Sequence, residues 1–167
     1  MILKTISPYE VEWQGQRLQC AMGRSGIKAD KREGDGATPT GCFQLEKVYY
    51  RSDRLAKPVT CLPVIAIQAD DGWCDDAKDV FYNQPIKLPY AASHEQLWRE
   101  DPLYDLLIVI SHNQNPVIPD MGSAIFIHLA RLDDKGHYGT TEGCLALSLP
   151  NLQLILSTAT SDAVWIV

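Results

Sequence analysis

Gly122-Ser123-Ala124-Ile125-Phe126-Ile127-His128-Leu129-Ala130-Arg131 is followed, across a polar and turn-rich Leu132-Asp133-Asp134-Lys135-Gly136-His137-Tyr138, by Gly139-Thr140-Thr141-Glu142-Gly143-Cys144-Leu145-Ala146-Leu147-Ser148. Two short apolar runs flanked by Gly, Ser and Thr read as strands. The connection between them is long enough to return the chain so that the strands lie side by side. His128 near the end of the first and Cys144 at the start of the second then face each other across strand ends, sixteen residues apart in sequence.

That pairing has a chemical use. A thiol with an ordinary pKa of about 8.5 is only a few per cent thiolate at neutral pH, and an adjacent imidazole can take its proton. Gly143 lets the backbone approach a substrate closely, and the successive N–H groups of Gly143 and Cys144 are candidates for stabilising a tetrahedral oxyanion. Spacing alone also suits two core residues, so the surrounding sequence has to decide.

Outward from this centre the chain reads as mainly β. Expected strands lie near 2–6, 17–22, 43–49, 63–67, 106–110, 124–129, 143–147 and 163–167, separated by Gly, Pro, Asp and Asn clusters such as Gly34-Asp35-Gly36-Ala37-Thr38-Pro39-Thr40-Gly41. Two helices are expected. Ser93 caps a short one through Leu97-Trp98-Arg99, and Ser148-Leu149-Pro150-Asn151 opens a longer one whose Leu149, Leu152, Leu154, Ile155 and Leu156 are apolar almost all round.

The 167 residues, 46% hydrophobic and 22% charged, fit one domain with a sizeable core, residues 1–167. A net charge of −6 and a pI near 5.1 oppose nucleic-acid or anionic-membrane partners, because a polyanion demands a basic face. No apolar run approaches the roughly 20 residues of a membrane span. Met1-Ile2-Leu3-Lys4 lacks the basic, apolar and small-residue regions of a signal peptide, so the expectation is cytoplasmic, with a periplasmic location as the alternative had a leader been removed. Five cysteines, at 20, 42, 61, 74 and 144, show neither disulfide-module density nor CxxC spacing. No metal or other cofactor is expected, and Cys20 reads as a small buried hydrophobe.

The residues quoted resemble the YkuD-type L,D-transpeptidases. Members of that family carry a histidine at the end of an apolar strand and then a Ser-x-Gly-Cys motif, matched here by His128 and Thr141-Glu142-Gly143-Cys144. The upstream Gly36-Ala37-Thr38-Pro39-Thr40-Gly41-Cys42-Phe43 is similar to the family's Thr-Pro-Thr-Gly-x-Phe segment. The resemblance implies a β-sandwich or barrel catalytic domain with one or two helices. It further implies that Cys144 attacks a peptide carbonyl, with His128 as base, oriented by the backbone carbonyl of Leu129. The implied substrate is a murein stem peptide, cleaved between the L-centre of diaminopimelate and a terminal D-alanine, leaving a thioester on the cysteine.

Two positions depart from the pattern. The family's histidine before Gly-Cys is Glu142 here, and its arginine two residues after the cysteine is Ala146. A guanidinium is the natural bidentate partner of a carboxylate, so Arg131 and then Arg24 are the candidates to supply that charge. Glu142 and His112 are further candidate substrate contacts. His94 and His137 read as exposed. Lys28, Lys31, Arg32, Glu33 and Asp35 read as a solvated loop, or as an overhang that meets substrate carboxylates.

The activity expected is removal of D-alanine from soluble tetrapeptide muropeptides in cell-wall recycling. Cross-linking of murein by transpeptidation is the alternative, because both share the first half-reaction. A non-catalytic muropeptide-binding module is a third reading, prompted by Ala146, and papain-type context is absent.

Overall fold

In the computed structural model, which describes residues 1–167, the chain runs through β1 (Ile2–Ser7), β2 (Glu10–Trp13), β3 (Gln16–Ala21), β4 (Ile27–Lys28), β5 (Thr38–Pro39), β6 (Cys42–Tyr50) and β7 (Val64–Ala66). It continues through β8 (Asp71–Cys74), β9 (Pro85–Lys87), β10 (His94–Gln96), a 3-10 turn (Pro102–Tyr104), β11 (Leu106–Ile110), β12 (Phe126–Leu129), β13 (Leu145–Leu147), α1 (Leu149–Thr158) and β14 (Val164–Ile166).

The main sheet is ordered β11-β12-β13-β3-β2-β1-β14-β6-β7 and closes on itself, because the long β6 also pairs with β11. β6 gives Cys42–Gln44 to β14 and Leu45–Tyr50 to β11, so one strand joins the two halves. Closure leaves few free strand edges.

One face of this sheet and α1 share the main core, built around Trp13, Trp165, Leu3, Ile108, Ile127 and Leu145. The two indoles are anchored by polar bonds to neighbours: Trp13 Nε1 donates to Thr158 Oγ1 and Trp165 Nε1 to Thr5 Oγ1, both at 2.9 Å. Ser148 caps α1 through the Asn151 N–H at 3.3 Å, as its position before Leu149-Pro150 suggested. The helix buries Leu152, Ile155 and Leu156, while Leu149 and Leu154 remain half-buried, so its packing is one-sided rather than deep all round.

The opposite face is covered by the small sheet β10-β8-β9. Trp73 from β8, Leu97 and Tyr104 pack there with Leu107, Val109, Phe126 and Cys144 in a second core. β11 thus sends Leu106, Ile108 and Ile110 into one core and Leu107 and Val109 into the other, which is why its sequence is an unbroken apolar run.

The helix expected from Ser93 is not formed. His94–Gln96 is strand β10, paired antiparallel to β8 in the register His94↔Cys74 and Gln96↔Gly72. Non-local pairing outweighs a local cap signal here. Two further expectations change: His94, in β10, is half-buried rather than exposed, and Lys31 is only 3% exposed instead of lying on a solvated loop. Burial of Lys31 is compensated, since its ammonium donates to Asp35 and to the Arg32 carbonyl.

Candidate active site

β12 and β13 are parallel neighbours in the register Ile127↔Leu145, His128↔Ala146, joined by a fifteen-residue connection. The two-residue strand period then sorts their side chains. Ile127, Leu129, Leu145 and Leu147 enter the main core, while Phe126, His128, Cys144 and Ala146 share the other face. There His128, Cys144 and Ala146 line one cavity of about 590 Å³.

Cys144 is 7% exposed and its sulfur is held from two sides. The Phe126 N–H donates to Sγ, and the S–H donates to the Ala124 carbonyl, each at 3.3 Å. Ala124 adopts the left-handed region at φ 51°. Asn83, itself at φ 55° and 2% exposed, fixes it by accepting from the Ala124 N–H at 3.0 Å.

His128 is 6% exposed, and its Nδ1 lies 2.8 Å from the Leu129 carbonyl. A carbonyl only accepts, so Nδ1 carries the proton and Nε2 keeps its lone pair for use as a base. The Tyr104 ring meets the imidazole edge to face at 5.4 Å, fixing the ring plane. Burial pulls the His128 pKa down to about 4, with the Leu129 hydrogen bond opposing. Burial pushes the Cys144 thiol up to about 12, reinforced by the Glu95 carboxylate and opposed by the Phe126 N–H. The pair therefore rests as neutral thiol and neutral imidazole at neutral pH.

The turn into Cys144 is clamped by Thr141. Its hydroxyl donates to the Cys144 carbonyl at 2.7 Å and accepts from the Gly143 N–H at 3.1 Å. This engagement takes the Gly143 N–H, whereas the Cys144 N–H has no protein acceptor. Gly143 has φ +141°, and a Cβ there would sit 2.8 Å from the Ala37 carbonyl. Ala37-Thr38-Pro39 is the upstream segment singled out in the sequence, buried behind the turn into Cys144, with the Thr38 hydroxyl accepting from the Gly23 N–H at 2.9 Å. Thr141 in turn exchanges backbone hydrogen bonds with Met22 and Arg24. The two sequence motifs are thus one packed unit.

A family model for the L,D-transpeptidase catalytic domain, YkuD, matches residues 6–166. The chain belongs to this family. Its members carry out cysteine-dependent acyl transfer on peptidoglycan peptides. No curated protein and no solved structure matches the chain.

Within this L,D-transpeptidase-family domain the remaining candidates separate. Arg131 and Glu142 line the cavity with Cys144 and His128. Arg131 makes no ion pair. Glu142 accepts from Arg24 Nε, 2.9 Å from both carboxylate oxygens, so Arg24 is held at the rim, outside the cavity lining. His112 also lies outside it: its Nε2 is 3.0 Å from the Met121 carbonyl and its ring packs on Phe43. Ala146, opposite His128, presents only a methyl group where the family carries its arginine.

Several lining residues were not evident from the sequence. Glu95 and Arg99 come from β10 and the segment after it, and Tyr104 from the 3-10 turn. Tyr104 donates to Glu95, and the Arg99 guanidinium lies 5.1 Å from the Tyr104 ring centroid while it pairs with Asp101. Only the Asp101-Pro102 cap of the turn carried a local signal, and that signal concerns backbone, not chemistry. No group of three or more His, Cys, Asp or Glu is placed to hold a metal ion, and no helix is long and apolar enough to cross a membrane.

Proposed function

We propose that this protein is a murein L,D-carboxypeptidase that removes the terminal D-alanine from tetrapeptide muropeptides. His128 Nε2 takes the thiol proton as Cys144 Sγ attacks the carbonyl at the L-centre. The Cys144 N–H, free of protein acceptors, donates to the oxyanion. Collapse breaks the C–N bond, the proton on His128 passes to the departing D-alanine nitrogen, and an acyl thioester remains. Water, deprotonated by His128, attacks the thioester, and the proton returns to the departing sulfur.

The observation that carries hydrolysis is Ala146. It lies opposite His128 on the cavity wall, and a methyl group in place of a guanidinium leaves room beside the base for water. Arg131, unpaired and at the same cavity, is the proposed partner of a substrate carboxylate. Five free thiols, with Cys42 and Cys61 exposed, suit a reducing cytoplasm, where imported muropeptides would be the soluble substrate.

Transpeptidation is the second reading. A depression formed by Leu103, Ala130 and Leu132 adjoins the cavity across Arg99 and Arg131 and is placed to receive an acceptor peptide. Incubation with a disaccharide tetrapeptide and an excess of diaminopimelate-containing acceptor separates the two. Tripeptide and D-alanine as main products support hydrolysis; cross-linked dimer as main product sinks it.

A further inference from the structure

Three acidic residues line the catalytic cavity, and two are fully engaged. Glu33 accepts from the hydroxyls of Tyr82 and Ser123 and from the Gly34 N–H. Glu142 holds the Arg24 guanidinium. Glu95 is different: it accepts only from the neutral Tyr104 hydroxyl, through Oε2, and Oε1 has no protein donor. None of the cations that line the cavity, Lys31, Arg99 and Arg131, forms an ion pair with Glu95. Arg99 is bound by Asp101 through two hydrogen bonds, and Lys31 by Asp35 and the Arg32 carbonyl. Glu95 is half-buried, and a partly desolvated carboxylate with no cation suits a ligand that brings the missing charge.

We propose that Glu95, held by Tyr104 beside Cys144 and His128, receives the free ammonium group of a diamino acid residue on the acyl side of the bond that Cys144 attacks. This rests on the reading of Cys144 as the acylated nucleophile. Glu95 is then a specificity-determining residue: it accepts a stem peptide with a free side-chain amine and rejects one in which that amine is blocked or already cross-linked. The same contact couples recognition to chemistry. The Glu95 charge holds the Cys144 thiol protonated, alongside the larger effect of burial. An ammonium seated on Glu95 cancels that field, so the thiol gives up its proton more readily with the selected substrate in place.

The test compares a tetrapeptide carrying a free side-chain amine with the same peptide acetylated there, by calorimetric titration of Cys144→Ala protein. Acetylation is expected to weaken binding roughly tenfold or more with Glu95 present, and by less than about twofold after Glu95→Gln. Equal affinities for the two peptides with Glu95 in place, undiminished discrimination after Glu95→Gln, or no binding of either peptide overturns the proposal. The acetylation arm needs no change at Glu95, so it stands even if Glu95→Gln fails to fold. D-alanine release by the unaltered protein is scored separately: binding discrimination without release defeats the acyl-transfer reading, and release without discrimination defeats this one. Alkylation of Cys144, followed on its own peptide by mass spectrometry, is expected to be faster in Glu95→Gln than in the parent, and an unchanged or slower rate removes the coupling.

Discussion

His128 is held neutral because its environment denies it a charge. The imidazole is enclosed by Tyr104 and the strand backbone, and its one protein hydrogen bond goes to a neutral carbonyl instead of a carboxylate. In the unfolded chain it protonates near its ordinary 6.5, in the folded protein only near about 4. Between those values the unfolded state binds the extra proton, so stability is fully present above 6.5 and is lost as pH falls toward 4. The loss amounts to about 3 kcal/mol at its limit. Chemical denaturation across that pH range should show it in the parent and a shallower slope in His128→Asn; identical slopes would mean that the imidazole is not held neutral by burial. That Cys144 and His128 come to line one cavity was legible in the sequence because both lie in short motifs. Glu95, Tyr104 and the Phe126 N–H were not, because a glutamate, a tyrosine and a backbone amide acquire their meaning only from what the fold sets beside them.

At the scale of elements, parity along two parallel strands does the positioning. Because Ile127 and Leu145 are both committed to the main core, His128, Cys144 and Ala146 must share the cavity face, and a register slip of one residue would bury the chemistry in the wrong place. The turn into β13 depends on Gly143, whose φ of +141° and the 2.8 Å approach that a Cβ would make to the Ala37 carbonyl leave no room for a side chain. Gly143→Ala is expected to cost about 1–3 kcal/mol in stability and to remove most of the D-alanine release, by displacing Sγ and the Cys144 N–H together. Denaturant melts and a turnover assay check it, and a variant with parental activity would show that the turn tolerates the shift. The strands of this region and the helix after Ser148 could be read from apolar runs and a cap. β10 could not, because three residues with no strand signal of their own are strand only through their pairing with β8.

Across the whole molecule, a closed sheet carries Cys144 and His128, and a separate three-stranded sheet supplies part of the wall opposite them. The cavity is therefore made between segments far apart in sequence, and its charge pattern is a property of the assembled fold. With a net charge of −6 overall, an unpaired Arg131 at the cavity is a local exception and suits a carboxylate-bearing peptide. Arg131→Ala is expected to raise KM about three- to tenfold with little change in kcat, the pattern of a residue that binds ground state and transition state alike. Added salt should weaken substrate binding by the parent more than by the variant; an unchanged KM would remove Arg131 from the substrate contacts.

The central claim is that Cys144 carries the acyl group. Its most direct test is acid-quenched mass spectrometry of the protein mixed with a murein tetrapeptide, followed by mapping of the modified peptide. The expected result is a hydroxylamine-labile tripeptide acyl adduct on Cys144, with D-alanine released in parallel and both lost in Cys144→Ala. D-alanine release by Cys144→Ala at the parental rate, or an acyl adduct on any other residue, would contradict it.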